Sequence, residues 1–482
     1  MNLQNMLTKI KEKFCNTQDL VTREFETEAG NKIAIVFLDN VVDQLLLSSS
    51  VIAPLQVLKS ERQEDLADLA KNNIIAFSQV QEIKDESELV ENILNGFCAI
   101  LFEDSQKILV VQCVKWISRL PSEPPTSAVV KGPREGFVED IVTNLTLLRK
   151  RLKTPNLKVE NLKIGTETNS EVRIVYLDGV ADRNVVEKIR TRLKNIHIDG
   201  VVDSNYLVEF LQADKHAFFK QVGSTEKPDI ATAKILEGRV AILVDGSPIV
   251  LTLPYVLIED LQASNDYYTN PGRATFLRYL RLIAAVIAIT LPGIYVALLC
   301  HHMKAIPIKL LVTITNSIQG IPLTPLLETL FIIFLFEILY EASLRMPRYM
   351  GLALSVVGAL ILGDTAVQAG LISPPAVLIV AITGVMSYTL PEQSNQISFL
   401  RLIITIIGGL LGIFGVVLAV LFVIAYLSNM DSYGAPYLSP FAPNIPEDKK
   451  DALFRRSFKQ MKTRPKSFPN DNKRRIDDEG SK

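Results

Sequence analysis

Two pairs of aspartates have the residue type and spacing for acid–base or metal chemistry. Asp39 and Asp43 follow one apolar run, and Asp178 and Asp182 follow a second run of similar sequence. The alternative is structural, because aspartate often closes the turn after a strand and caps the next helix. Since the same pattern occurs in both places, we favour turns and helix caps, and we predict no catalytic residue at these positions.

Other catalytic motifs are missing from the sequence. It contains no P-loop, no GxGxxG motif after a strand and no pattern of serine, histidine and aspartate typical of a hydrolase. The four cysteines form no CxxC pair and have no metal-site spacing, which indicates reduced structural thiols. They are Cys15, Cys98, Cys113 and Cys300. We therefore predict no enzyme activity, no cofactor and no metal site.

Carboxylates inside apolar stretches are the stronger functional candidates. Glu337 and Glu341 lie one helical turn apart, and a charge in hydrocarbon needs a partner or a water-lined space. Alternatively, both lie near the inner membrane surface and pair with Arg345 or Arg348. Asp364 lies in another apolar segment, which is rich in Gly and Ala. These three acidic residues are our candidate intramembrane or gating groups.

A stripe of polar, small and aliphatic residues follows one face of the helix predicted over residues 351–372. A pore-lining helix with an apolar gate has this pattern, and so does a tightly packed interior helix. From the residues alone, close packing is favoured. The stripe consists of Ser355, Gly358, Ile361 or Leu362, Thr365 and Gln368.

These candidates lie in a chain whose charges are unevenly distributed. Residues 1–275 are rich in Lys, Glu and Asp, whereas residues 282–430 carry few charges, so the formal net charge of −1 implies no nucleic-acid partner. The apolar runs predict a membrane domain over residues 275–430. We expect four spans with re-entrant segments at 306–325 and 376–390, or alternatively six spans. The candidate spans are residues 282–299, 326–342, 352–372, 376–390 and 403–427.

The last apolar run also carries closely spaced glycines. Gly408, Gly412 and Gly415 fall within residues 403–427. Small residues at such positions let helix backbones approach closely, so we predict tight helix packing there.

Basic residues predict the orientation in the membrane. Arginines precede the first apolar run, Arg345 and Arg348 follow the second, and the tail over residues 431–482 is basic. Because positive charge favours the inner side, we place the N-terminal domain and the tail together on that side. From residue 447 onward we expect the tail to be disordered and to contact anionic membrane lipid.

The N-terminal half contains an internal repeat. Residues 35–43 match residues 174–182, and residues 93–104 match residues 235–246, at nearly the same separation. Each match includes an apolar strand-like run beside a helical stretch, which predicts two tandem α/β subdomains. The predicted fold class is an α/β soluble N-terminal region of two tandem similar subdomains, followed by an α-helical multi-pass membrane domain. We divide the soluble region into a helical lead (1–24), subdomain one (25–125), a connector and helix (126–154) and subdomain two (155–270).

A set of motifs in a fixed order resembles one known family. The set is KGPREGF at 131–137, EGRVAILVDG at 237–246, EILYEASLRMP at 337–347, GDTAVQAGLISP at 363–374 and YGAPYLSPFAP at 433–443. Together they resemble the A subunits of the GerA-type nutrient germinant receptors of endospore-forming bacteria, over nearly the whole chain.

The resemblance implies a sporulation-specific protein of the spore inner membrane, with its soluble domain and tail on the spore core side. It implies B and C partner subunits, a homo-oligomer and a ligand-gated cation channel that starts germination in response to amino acids or sugars. It also moves the preference for residues 351–372 from packing to pore lining. Two alternatives stay open, a membrane-anchored scaffold that conducts no ions and a transporter-like protein.

Overall fold

The structure is a computed structural model that describes most of the chain. The described residues are 3–58, 66–77, 80–83, 85–103, 107–114, 131–214, 217–345 and 365–475. They form two α/β subdomains, a helical domain and a C-terminal segment that returns to the second subdomain.

The first subdomain is built on an antiparallel sheet, with five strands among the described residues. These are β1 Leu20–Glu26, β2 Lys32–Leu38, β3 Val80–Ile83, β4 Phe97–Phe102 and β5 Ile108–Gln112, in the order β1-β2-β4-β5-β3. Its longer helices are α1 Leu3–Lys13 and α2 Glu86–Leu94, with short helical turns at Gln44–Leu47, Ser48–Ile52, Ala53–Gln56, Leu66–Leu69 and Ala70–Ile74.

Alternation along β2 explains why this sheet is covered on both faces. Ile33, Ile35 and Phe37 face the short helical turns, whereas the intervening residues face α1 and α2. Strand side chains point to opposite faces in turn, so a strand that is apolar throughout needs a cover on each side. Because α1 supplies part of that cover and β1 begins at Leu20, the predicted boundary at residue 25 falls inside β1.

The second subdomain repeats this arrangement. Its strands, as far as the described chain shows, are β6 Leu157–Ile164, β7 Ser170–Leu177, β8 Gly223–Thr225, β9 Val240–Val244 and β10 Val250–Leu253, in the order β6-β7-β9-β10-β8. Its helices are α3 Ile141–Arg151, α4 Arg183–Lys194, α5 Ser204–Leu211 and α6 Pro228–Leu236.

The repeat predicted from the sequence matches the pairing of the strands. Ile35 on β2 lies opposite Ile100 on β4, and the matching Ile174 on β7 lies opposite Ile242 on β9. The strand order is also the same in both sheets. The two subdomains are therefore copies of one α/β unit.

Helix α3 fastens the two subdomains to each other. Its Arg149 donates to both carboxylate oxygens of Asp19, at 2.9 and 2.8 Å, and both side chains are buried. The Thr146 hydroxyl donates to the Asn40 carbonyl oxygen at 2.7 Å. A buried pair with this bidentate geometry is strongly orienting, so the subdomains have one defined relative position.

The helical domain follows directly. Its helices among the described residues are α7 Pro271–His301, α8 Ile308–Ile318, α9 Pro325–Arg345, α10 Pro374–Ser387 and α11 Ser394–Asn429. A short hairpin of β11 Asp431–Ser432 and β12 Ala435–Pro436 comes after α11. Short helical turns occur at Leu257–Leu261, Ser264–Tyr267, Met303–Ala305, Ala366–Gln368, Pro391–Gln393, Asp448–Asp451 and Phe458–Gln460.

Helix α11 reverses direction at Gly412. This glycine has φ 69° and ψ −160°, a conformation that interrupts the helix and that glycine tolerates. Residues on either side pack together, with Ile404 and Val416 in one buried apolar cluster and Leu400 and Leu427 in another. The two limbs, residues 394–411 and 413–429, thus form an antiparallel hairpin with both open ends beside the soluble domain.

The predicted close packing of glycines occurs between α7 and the first limb of α11. A Cβ atom on Gly293 would lie 2.7 Å from the Ile404 carbonyl oxygen, and a Cβ on Gly408 would overlap the Gly293 carbonyl. Only glycine permits backbones to approach this closely. Gly412 has the different role of forming the hairpin tip.

Two described helical stretches are long and apolar enough to cross a membrane, Pro271–His301 and Pro391–Asn429. Helix α7 runs away from the soluble domain and ends where the His301 imidazole Nε2 lies 2.8 Å from the Gly409 carbonyl oxygen, near the hairpin tip. Helix α9 runs the opposite way, since Leu326 lies against Gly409 and Glu337 pairs with Arg401.

The C-terminal segment departs from the sequence-based expectation. We expected disorder from residue 447, but residues 447–475 are described and packed on the second subdomain. Phe468 is buried beneath Arg239, whose guanidinium carbon lies 3.8 Å from the ring centroid, and Asn470 bridges to Ala181. The expectation was wrong because charge composition alone does not reveal a partner surface elsewhere in the chain.

Candidate functional site

Asp43 and Asp182, the second aspartate of each repeated pair, are helix caps, and Asp39 and Asp178 lie in the turns after the strands, as we favoured from the sequence. Asp43 accepts hydrogen bonds from the backbone amides of Leu45 and Leu46, both at 3.1 Å. Asp182 accepts from the amides at the start of α4 at 2.8 and 3.1 Å. Each carboxylate therefore satisfies backbone donors that the helix leaves unpaired.

The two glutamates one turn apart on α9 have different partners. Glu341 pairs with Arg345 on the same helix at 2.5 Å, which is the alternative considered from the sequence. Glu337 instead accepts from Arg401 on the first limb of α11. Sequence reasoning did not single out Arg401, although a lone arginine at the start of the most apolar run is a signal that a partner is needed.

Arg401 is a buried cation with spare donors. Its side chain is 3% exposed, and its Nε and Nη1 atoms have no hydrogen-bond partner among the described residues. The pair joins α9 to the hairpin close to its open end. Because breaking a buried pair leaves an uncompensated charge, this contact holds the two elements in one relative position.

The predicted pore-lining stripe lies mostly outside the described residues. Ser355, Gly358, Ile361, Leu362 and the candidate gating residue Asp364 all belong to that part of the chain. Thr365 and Gln368 are described and are both exposed, whereas Ala366 and Val367 between them pack into the apolar core of the helical domain.

A buried carboxylate that sequence reasoning missed connects α9 to α10. Glu328 is fully buried, and its Oε1 atom accepts from the backbone amide of Ser373, the residue that caps α10. A carboxylate at the N-terminus of a helix is favoured by the unpaired amides and the helix dipole. Glu328 therefore fixes the start of α10 at the end of the domain farthest from the soluble region.

The junction between the soluble and helical domains is a buried network of charges. Asp266 binds Arg278 at 3.1 Å and Arg281 at 2.8 and 2.9 Å, and both Asp266 and Arg278 have no exposed surface. Arg278 also pairs with Asp451 of the C-terminal segment at 3.0 Å. Arg278 and Arg281, two of the arginines that precede the first apolar run, thus belong to a buried charge network that joins three segments of the chain.

A second polar contact joins the soluble domain to the start of α11. The Gln393 side-chain amide donates to the Asp260 carboxylate at 2.8 Å, and the Tyr255 hydroxyl donates to the same oxygen. Lys220 pairs with Glu392 in the neighbouring turn. A movement of the α10–α11 connection would therefore shift the contacting side chains of the soluble domain directly.

Asp260 is expected to make stability depend on pH. Burial raises the pKa of its carboxyl from 3.8 to about 6, although Lys220, Tyr255 and Gln393 act in the opposite direction. Between those values the folded chain holds a proton that the unfolded chain has lost, so this contribution to stability falls as pH rises from 4 to 6.

We expect Asp260→Asn to flatten that part of the stability profile. The measurement is the thermal unfolding midpoint of the detergent-solubilised protein from pH 4 to pH 7.5. An unchanged slope in the variant would contradict the assignment of the titration to Asp260.

Metal chemistry has no visible support in the described part of the chain. No group of three or more His, Cys, Asp and Glu side chains there is arranged to hold a metal ion. The buried carboxylates of the junction are instead paired with arginines.

Comparison with known proteins decides the family. Residues 8–467 match the model of the Bacillus/Clostridium GerA spore germination protein. The chain belongs to the GerA family. Spore germination protein KA of Bacillus subtilis (strain 168) is 32% identical to this GerA-family chain over 476 residues, which is 98% of the chain and 88% of the relative.

Other relatives of this GerA-family chain align over similar lengths. Spore germination protein A1 of Bacillus subtilis (strain 168) is 32% identical, covering 99% of the chain and 97% of that protein. The uncharacterized membrane protein YfkQ of the same organism is 34% identical, covering 98% and 91%. Among solved structures, the N-terminal domain of the A subunit of the Bacillus megaterium germinant receptor GerK3 matches with 28% identity and a TM-score of 0.41, covering 52% of the chain and 94% of that domain.

Proposed function

We propose that this GerA-family chain is the A subunit of a nutrient germinant receptor in the spore inner membrane. The observation that carries the proposal is the family match over residues 8–467, which spans the soluble and helical domains together. Relatives that align with the chain over 88% and 97% of their own length are named as spore germination proteins. The receptor would act with B and C subunits and start germination when an amino acid or a sugar is sensed.

The proposal is tested in spores that lack all other germinant receptors. The chain is expressed together with its B and C partner subunits, and germination is followed as the loss of optical density after nutrients are added. Germination that requires all three subunits supports the proposal. Nutrient-triggered germination that is unchanged when this chain is deleted would contradict it.

The described helices support a membrane domain with its soluble region and tail on one side. Arg278 near the start of α7 and Asp451 of the C-terminal segment are paired, and both limbs of the α11 hairpin open toward the soluble domain. Helix α9 ends on that side, and the chain resumes at Thr365 beside the far ends of α7 and α9. These positions favour six crossings over four, made by α7, α9, the predicted span over 352–372, α10 and the two limbs of α11, whereas the hydropathy pattern predicts one span over 403–427.

Thiol labelling checks this topology. Cys300 is exposed at the far end of α7, whereas Cys15 is a partly exposed thiol of the soluble region. We expect a membrane-impermeant maleimide to modify Cys300 only from the membrane face opposite the soluble domain, and Cys15 only from the other face. The Cys300→Ser variant is the control for the first signal. Labelling of both thiols from the same face would contradict the proposed topology.

We further propose that A subunits assemble into an oligomer and that residues 351–372 line a cation pathway. The sequence pattern supports this, because a helix face of small, polar and aliphatic residues is typical of a pore lining with an apolar gate. Gating would then need two states with different affinity for the sensed signal. A scaffold that clusters receptors without conducting ions is the second candidate.

A further inference from the structure

Helix α5 of the second subdomain exposes an apolar stripe. Tyr206 and Phe210 are 47% and 41% exposed, and Val202, four residues before Tyr206, is 66% exposed. The spacing of four places Tyr206 and Phe210 on one face of the helix, and Val202 lies just before the helix cap Asp203. Leu207 and Leu211 on the other face are fully buried, so the stripe is not needed for the core of the subdomain.

The stripe ends beside the open end of the α11 hairpin. The Tyr433 hydroxyl donates to the Leu211 carbonyl oxygen at 2.7 Å, and Tyr433 follows the end of α11 by only four residues. Phe218 extends the same edge, since its ring lies 5.2 Å from that of Phe399 and its amide donates to the Tyr426 hydroxyl at 3.1 Å.

From this point the apolar surface continues along the α11 hairpin, away from the soluble domain. The hairpin's outward-facing side chains are large, apolar and exposed, including Phe399, Leu418, Leu421 and Phe422. If these residues face hydrocarbon, as the proposed membrane location requires, then Phe210 and Phe218 lie at the level where the hydrocarbon ends. Aromatic side chains are enriched at that level because their rings are apolar and their edges tolerate water.

Charges near the stripe are mixed. Lys188 and Arg192 lie on the adjoining helix α4, and Arg192 lies 5.0 Å from the Tyr433 ring centroid. Glu209 is exposed beside Phe210. The apolar contact, not a net positive field, is therefore the main attraction between this surface and a bilayer.

We propose that the stripe Val202, Tyr206 and Phe210, with Phe218, is a lipid-contact surface that lies in the headgroup region of the membrane leaflet next to the soluble domain. This inference rests on the proposed membrane location of the helical domain. It gives the second subdomain a fixed height and tilt on the bilayer, in addition to its covalent link to α7.

Tryptophan fluorescence tests the proposal because the sequence contains a single tryptophan, Trp116. Phe210→Trp is introduced into a Trp116→Phe chain and reconstituted in phosphatidylcholine vesicles with and without brominated acyl chains. We expect the emission of the introduced tryptophan to fall about twofold with bromolipid, because the apolar face of an interfacial helix lies about 5–10 Å into the boundary of headgroups and acyl chains. If Trp116→Phe does not fold, Phe210→Trp is introduced into the wild-type chain instead. The bromolipid effect on wild type is then subtracted from the effect on this variant.

Two matched variants make the outcomes distinct. Leu45→Trp probes a side chain that is 84% exposed on the first subdomain, and it should not be quenched. Phe422→Trp probes the lipid-facing side of the hairpin and should be quenched strongly. Quenching of the tryptophan at position 422 but not at position 210 would overturn the lipid-contact surface alone. If the tryptophan at position 210 is protected from solvent only when B and C subunits are added, the stripe contacts a protein partner instead. Absence of quenching at Phe422 would instead overturn the proposed membrane location.

Discussion

Asp266→Ala is expected to lower the free energy of unfolding by about 3–5 kcal/mol, because it leaves buried guanidinium groups without their counter-charge. Arg278 and Arg281 both bind this carboxylate, and Arg278 has no exposed surface. The measurement is denaturant-induced unfolding of the detergent-solubilised protein. Loss of these ion pairs would also loosen the packing of the soluble domain against α7, so nutrient-triggered germination should fall with it.

The matched control is Asp68→Ala in the first subdomain. Asp68 pairs with Lys107 at 2.7 Å, but both side chains are well exposed. Exposed pairs contribute about 0–1 kcal/mol, so this variant should be close to wild type. Equal losses in the two variants would show that the junction network is no more important than a surface pair.

Gly293→Ala is expected to disrupt the packing of α7 against the α11 hairpin. The added Cβ would lie 2.7 Å from the Ile404 carbonyl oxygen and 3.0 Å from its carbonyl carbon. A side chain can relieve such a contact by rotating to another rotamer, but a helix backbone cannot. The two helices must therefore move apart. Overpacking of this kind destabilises a core by about 1–3 kcal/mol.

Gly384→Ala on α10 provides the comparison. A Cβ at Gly384 would meet only the Phe336 ring, at 3.8 Å, which is an ordinary contact. Alanine also favours a helix over glycine by about 1 kcal/mol, so this variant should be neutral or slightly stabilised. Thermal unfolding of both variants in detergent measures the difference. A Gly293→Ala protein as stable as Gly384→Ala would contradict the close approach of the two helices.

The duplicated soluble fold could be predicted because its signals are local. The matching apolar runs around Ile35 and Ile174 form the strands. Asp43 and Asp182 cap helices by accepting from amides no more than three residues away. Such patterns depend on neighbours in the chain, and the sequence contains them directly.

The contacts that could not be predicted join residues distant in the sequence. Arg401 pairs with Glu337 across two helices, and Asp451 reaches Arg278 from a segment that composition marked as disordered. Periodicity identifies which residues need partners but not which partners they obtain. The hairpin at Gly412 was missed for a related reason. The apolar run continues through the reversal, and the hydropathy of a run does not change where the chain reverses direction.

These contacts indicate how a signal could pass between the domains. The soluble region touches α7 through Asp266, the start of α11 through Asp260, and the end of α11 through Tyr433. A shift of the hairpin would therefore move the contacts at Asp260 and Tyr433 directly, and the contact at Asp266 through the packing of α7 on the first limb. A coupling of this kind needs two discrete arrangements of the junction, each with its own set of contacts.

The most direct test of the proposed function is potassium efflux from liposomes that contain the chain with its B and C partners. We predict efflux on addition of the cognate nutrient and a changed rate or leak in a Leu362→Ala variant of equal abundance. Efflux that the variant alters would support residues 351–372 as the cation pathway. A folded, complete receptor that releases no potassium with any nutrient that germinates its spores would contradict the channel and favour the scaffold.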